Sequence, residues 1–260
     1  MSNSKTRVSL ALMLLLAVAA FLCGGWQQGR VIGGGVIGPA SGGGGGPTFT
    51  YVGGNKANCH TTTTCAVSYP PTAGNLVTVD VQKVDTNAAQ PPSLTTDNSS
   101  STYVNEFASG QDPTGNFYFS EDVSLSIGSG VTTITANLGT SPVSSTVIVS
   151  EYHRTSGTWS FNAASALLRV TTASTSQTCN SITPTGGNPT VVSGMFYTAV
   201  GEDAFLGSGS YTLRESQADI YSGNEAGVTS QIVTSASGTY AAAATNGTSV
   251  TYECYTVAYQ

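Results

Sequence analysis

The sequence predicts an all-β protein, a two-sheet antiparallel sandwich that is jelly-roll-like rather than Ig-like. Three observations carry this. Runs of β-branched and aromatic residues, many with a period of two, recur from residue 48 to the end. Clusters of Gly, Asn, Asp, Pro and Ser separate them. No stretch of about twelve residues keeps a 3.6-residue period, and 162–168 offers one helical turn at most.

The runs follow in order. Residues 48–52 (TFTYV) alternate and are β-branched or aromatic. Residues 76–82 (LVTVDVQ) alternate Val with polar residues after the turn 71–75 (PTAGN). Residues 117–119 (FYF) form a short aromatic strand, and 131–138 (VTTITANL) have the period of a half-buried one. Residues 144–152 (SSTVIVSEY) are more continuously apolar, as a central strand requires, and 190–199 (TVVSGMFYTA) are similar. Then come 211–214 (YTLR), 231–233 (QIV), 239–244 (TYAAAA) and 250–259 (VTYECYTVAY). About ten or more short strands fit one sandwich domain over residues 48–260, and suit a jelly roll better than a seven-stranded Ig domain. Residues 64–75 (TCAVSYPPTAGN) and 178–188 (TCNSITPTGGN) echo one another, each before a Val-rich run. The echo reads either as two pseudo-equivalent halves or as chance in a chain rich in Thr and Gly.

Composition narrows the function. The 260 residues include 31 glycines, 8 Lys+Arg, 14 Asp+Glu and 2 His, and only 8% are charged. An ordinary soluble domain carries ~25%. So little positive charge excludes a nucleic-acid binder, and the low charge excludes a charged coiled coil or tail. The 39% of hydrophobic residues is enough for a core.

The N-terminus reads as an export signal. Lys5 and Arg7 precede the apolar run 8–22 (VSLALMLLLAVAAFL), and small residues follow. This is the order of a secretory signal peptide over residues 1–25, shorter than the ~20 apolar residues of a comfortable membrane span. An uncleaved anchor is the alternative. A lipid anchor at Cys23 is a third reading, for which Ala20 and Leu22 match a lipobox poorly. Cleavage would remove both bases and no acid, moving the net charge from −6 to −8 with six bases left against fourteen acids. Residues 26–47 are nearly half Gly and read as a flexible tether. Within it, 31–38 (VIGGGVIG) reads as a spacer, with a β-donor segment for a neighbouring subunit as the alternative.

Four cysteines remain: Cys59, Cys65, Cys179 and Cys254. An even number in an exported chain implies two disulfides. The favoured pairing is Cys59–Cys65, closing a Thr-rich turn, with Cys179–Cys254 tying the middle of the domain to its last strand. The competing pairing joins Cys65 to Cys179 and Cys59 to Cys254, on the strength of the echo.

The residues Thr72-Ala73-Gly74-Asn75-Leu76, Thr96-Asp97 with Thr102-Tyr103, Val149-Ser150-Glu151-Tyr152 and Ser210-Tyr211-Thr212-Leu213-Arg214 occur in an order that resembles a β-sandwich domain repeated in exported bacterial proteins of unassigned function. The resemblance covers most of the chain after residue 48. It departs at Ser99-Ser100-Ser101, where the family has Ala-Gly-Asn. It implies a sandwich fold and export, and brings no catalytic residues with it.

No familiar catalytic set is legible. Residues 207–211 (GSGSY) fail as a nucleophile elbow at the last position. A triad would need His60 or His153, and His153 reads as a solvated rim residue at a strand end. Glu121-Asp122 and Glu202-Asp203 are adjacent pairs, and neighbours on a strand point to opposite faces. Neither pair is placed to flank one glycosidic bond, and both are expected as solvated loop residues. Asp97-Asn98, residues 112–116 (DPTGN) and the two acidic pairs are the candidates for Ca²⁺, though Asx turns explain such residues at less cost. No cofactor and no metal site is expected. Trp159, in 156–160 (SGTWS), is the candidate ligand contact. Tyr255 and Tyr259 alternate with Tyr252 and Val257, so one set is expected to face outward.

The expected function is a non-enzymatic, secreted or cell-surface structural and interaction module. The alternatives are a carbohydrate-binding module and, last, a glycan hydrolase or lyase with an unconventional site. Its partners would be an extracellular glycan or a surface protein, not nucleic acid. Membrane contact would come only through the signal or a lipid at Cys23.

Overall fold

The computed structural model describes residues 46–85, 92–108, 117–139, 142–198, 205–219 and 223–260. The signal peptide, Cys23 and the tether as far as residue 45 lie outside the described residues. What is described is all-β, and every pairing is antiparallel. A central sheet contains β1 (Phe49–Cys59), β3 (Leu76–Val84), β5 (Val104–Ala108), β6 (Phe117–Ser124) and β8 (Ser144–Arg154), in the order β1-β8-β3-β6-β5. A small outer sheet orders β2 (Thr64–Ser68), β7 (Thr133–Asn137) and β4 (Ser93–Asp97) as β2-β7-β4. A large sheet runs β10 (Leu168–Thr178), β15 (Ala243–Cys254), β11 (Thr190–Thr198), β14 (Asn224–Val233) and β13 (Thr212–Asp219). To it β12 (Leu206–Gly207) adds on β15, β16 (Val257–Tyr259) on β11, and β9 (Phe161–Ala164) on β16.

Alternation along β3 distributes the layers. Val77, Val79 and Val81, with Val147 and Val149 of β8, pack against Val67, Ile134 and Ala136 of the outer sheet. This is the outer seam. The opposite face, with Leu76, Phe119, Ile148 and Tyr152, packs against Met195, Tyr197, Val228 and Val257 of the large sheet. This is the inner seam. The far side of the large sheet carries a third cluster, in which Phe205, Tyr211 and Ala242 cover Val192, Phe196 and Ala258. That cover approaches closely at Gly194 of β11. A Cβ there would lie 2.3 Å from the Tyr255 carbonyl oxygen and 2.4 Å from Ala242 Cβ, so the position excludes any side chain.

The sandwich expected from the sequence is present, with the outer sheet as an additional layer. The strands that sequence patterns miss are short or polar. β2, β4 and β5 have five residues each, and β10 is LRVTTASTSQT, an exposed Thr/Ser strand with little apolar alternation. The helical turn considered for 162–168 is not formed: Phe161–Ala164 pair with β16, so tertiary pairing decides a segment of weak local preference. The expected strand at 239–244 starts only at Ala243, and Tyr240 makes an isolated bridge to Ile182.

The cysteines lie in the favoured pairs, Cys59 with Cys65 (Cα atoms 5.6 Å apart) and Cys179 with Cys254 (5.4 Å). The first links β1 of the central sheet to β2 of the outer sheet. The second lies in the third cluster, where Thr256 Oγ1 also accepts the Ala242 amide (3.0 Å) and donates to the Asn180 carbonyl (2.8 Å). On the β1 side, Asn58 Nδ2 donates to the Ala218 carbonyl of β13 (2.7 Å), and Lys56 pairs with Glu215 (3.1 Å). Side chains thus join the central and large sheets along that edge.

Candidate functional site

The inner seam is polar at its centre. In β3 the residues that share a face with Leu76 are Thr78, Asp80 and Gln82, because side chains two apart point the same way. In β6 the same rule puts Glu121 between Phe119 and Val123, both on the inner seam. The β3–β6 register sets Asp80 directly opposite Glu121. Two carboxyls thus stand side by side at 1% and 0% exposure.

The large sheet supplies the partners. Tyr255 Oη donates to Asp80 Oδ1 at 2.5 Å, and Tyr259 Oη donates to Glu121 Oε1 at 2.7 Å. Thr78 Oγ1 reaches Asp80 Oδ2 at 3.5 Å. The Tyr255 ring stacks on Phe107 at 4.0 Å. Glu121 Oε2 and both amide atoms of Gln82 are buried and have no hydrogen-bond partner among the described residues.

Burial lifts the Asp80 carboxyl to about 7, against the hydroxyls of Tyr255 and Thr78, which pull it down. Burial also pushes Glu121 well above the ordinary carboxylate range, helped by Asp80 and, further off, Glu106, while Tyr259 opposes. The same burial, with the acids beside them, raises the phenols of Tyr255 and Tyr259. Two carboxyls at one site, with their protons retained, form the kind of pair that serves as general acid and base when it lines a cleft. Here the pair is sealed between two sheets, out of reach of a substrate from solvent.

A cavity of ≈250 Å³ opens nearby, at the edge of the large sheet. Phe117, Tyr197, Val170 and Tyr252 give it apolar walls, and Arg169 and Glu253, 3.4 Å apart, give it an ion pair. Thr171, on the open edge strand β10, is exposed at its rim.

The residues expected from the sequence fall as follows. Trp159 is 6% exposed, its ring 4.5 Å from that of Phe49, with the Arg154 guanidinium over both rings. An edge of it lines a recess of ≈170 Å³ with Gly74 and Leu125. His60 and His153 are exposed, and His153 Nδ1 lies 2.9 Å from Asn75 Oδ1. Asp97 Oδ1 accepts the amides of Ser99 (2.7 Å) and Ser101 (3.2 Å), closing an Asx turn around itself. Residues 112–116 and 202–203 lie outside the described residues.

Two expectations are corrected. Glu121 and Asp122 are not solvated loop residues but buried members of β6, on opposite faces as neighbours on a strand must be. Neither set of C-terminal residues faces outward. Tyr255, Val257 and Tyr259 lie in the inner seam and Tyr252 in the third cluster, because the large sheet is covered on both sides. Sequence reasoning missed Asp80. Its one signal was a carboxylate in the middle of a Val-alternating strand that carries a single base, Lys83.

No family model, no curated protein and no solved structure matches this chain.

Proposed function

We propose that the chain is a non-enzymatic, exported structural and interaction module, secreted or displayed at the cell surface. One observation carries this reading: the paired carboxyls, the arrangement closest to catalytic chemistry, are sealed inside the sandwich at 1% and 0% exposure and bonded to tyrosines. The pair therefore acts as part of the framework. The two cysteine pairs fit an oxidising, extracellular setting, as does the apolar run at 8–22. The test is a panel of glycan, ester and peptide substrates with the purified, oxidised protein. No turnover is expected. Turnover that persists through further purification and disappears in the Asp80→Asn variant would overturn the reading and establish the second alternative, a hydrolase or lyase.

A second reading, recognition of an extracellular glycan, is favoured by the cavity beside Phe117 and Arg169 rather than by Trp159, whose ring is enclosed by Phe49 and Arg154. A glycan array with and without Ca²⁺ tests it, and binding at background level throughout would remove it.

A further inference from the structure

We propose that the cavity between the start of β6 and the β10–β15 edge is a binding site for a single neutral sugar residue, free or at the end of a chain. The proposal rests on the glycan-recognition reading and narrows it to one site and one class of ligand.

Size limits the ligand first. The cavity holds ≈250 Å³, below the ~300–1,000 Å³ of pockets that take drug-sized molecules, so it has room for one ring. Its walls then select the chemistry. Phe117, half-buried, offers apolar ring surface, and the buried Tyr197 ring, 5.1 Å away and tilted by 53°, backs it. Aromatic faces of this kind take the C–H face of a pyranose while leaving its hydroxyls free. Arg169 and Glu253 sit 3.4 Å apart in the same wall. Arg169 has N–H donors, Glu253 has acceptor oxygens, and the Thr171 and Thr251 hydroxyls do both. Vicinal hydroxyls of a sugar match such a donor–acceptor pair.

Charge narrows the class again. Arg169 and Glu253 stand 3.4 Å apart, so a charged ligand of either sign meets a like charge in the wall, whereas a neutral polyol bridges the two. A packing void would be dry, apolar and closed. This cavity is lined by an ion pair and by an exposed threonine on an edge strand, with the Arg169 side chain 30% exposed.

The test uses the full, disulfide-intact chain. Neutral monosaccharides (glucose, galactose, mannose, xylose, N-acetylglucosamine) are titrated to ~50 mM while backbone amide shifts are followed, with glucuronate and phenol in parallel. The expected result is saturable binding of at least one neutral sugar in the millimolar range, where contacts over a single ring place it. The largest shifts should fall at Val170, Thr171 and Thr251. The Thr171→Trp variant fills the rim from an exposed position and should weaken binding at least tenfold. Arg169→Met should do the same. Both variants are accepted only if their melting temperatures and disulfides match the parent. The wild-type shift map needs no variant and keeps the test valid if either fails to fold. Binding of phenol with no binding of any neutral sugar overturns the proposal, as does preference for glucuronate. Glycan-array binding that survives Thr171→Trp overturns the site while leaving glycan recognition standing. Absence of all binding overturns both.

Discussion

On the outer seam, the buried acids of the central sheet meet nitrogen donors, whereas on the inner seam they meet hydroxyls alone. Asp122 accepts the Thr95 amide (2.7 Å) and Asn105 Nδ2 (2.8 Å). Glu151 accepts the Thr72 amide (2.9 Å), Asn75 Nδ2 (2.5 Å) and Tyr69 Oη (2.6 Å). These acids tie loops and an edge strand to the sheet. Asp80 and Glu121 instead reach across to tyrosines of a second sheet and stand beside each other. The outer seam also carries a disulfide, Cys59–Cys65, which links its two sheets. A buried carboxyl surrounded by donors serves as an acceptor hub. A buried carboxyl beside another carboxyl lasts only while at least one proton stays in place. The difference makes the inner seam depend on pH.

The largest expected effect follows from that dependence. The unfolded chain releases the Asp80 proton near the ordinary value of ~3.9, and the folded chain near about 7. Between these values the folded state holds the proton that the unfolded state has lost, so stability falls as pH rises. It is fully present below about pH 4 and levels off for Asp80 above about 7, with Glu121 carrying the fall further upward. The size is on the order of 4 kcal/mol for Asp80. Guanidinium midpoints from pH 4 to 8 measure it. The double variant Asp80→Asn/Glu121→Gln should flatten the profile. A profile equally steep in the double variant would assign the pH dependence elsewhere.

The next effect sharpens the contrast between hub and pair. Glu151→Gln removes the charge that three donors share and turns an NH₂ group toward at least one of them, and should cost about 3 kcal/mol. Glu121→Gln replaces a protonated carboxyl with a neutral amide of the same shape, and should cost less than about 1 kcal/mol at pH 5. Equal losses in the two variants would break the comparison. Cys59→Ser/Cys65→Ser removes the covalent link of the outer seam. Its short loop predicts a loss of ~2 kcal/mol on the chain-entropy account, against ~4 kcal/mol for the longer Cys179–Cys254 loop.

How much of this was legible in the sequence depends on what alternation encodes. The pattern 76–82 located β3 and assigned its valines to one face. It left open what Thr78, Asp80 and Gln82 face, because alternation tells which residues share a face but not what covers that face. Here a second sheet covers it. The period of two also separated Glu121 from Asp122 onto opposite faces, as observed, yet FYFSEDVS read as a short strand followed by a soluble loop. The pairing of Asp80 with Glu121 is a matter of register between strands some forty residues apart, which no local pattern carries. Trp159 misled for a related reason. Its loop-like neighbours are polar, but Phe49 and Arg154, distant in sequence, enclose the ring.

The smallest effect probes a single bond of the inner seam. Tyr259→Phe deletes the hydroxyl that reaches Glu121 Oε1 and keeps the ring, which packs edge-on against Phe161 at 6.0 Å. At pH 5 the carboxyl is held neutral, and the loss should be that of one neutral hydrogen bond, about 1 kcal/mol. Tyr259 is also among the influences that pull the Glu121 carboxyl down, so its hydroxyl favours the charged form over the neutral one. Without it, deprotonating Glu121 in the fold costs more, and the penalty of the variant should grow as pH rises. Unfolding curves of the variant and the wild type from pH 5 upward, through the range in which the wild type's stability stops falling, decide it. A Tyr259→Phe penalty that stays constant across that range would mean that the Glu121 proton does not govern the inner seam.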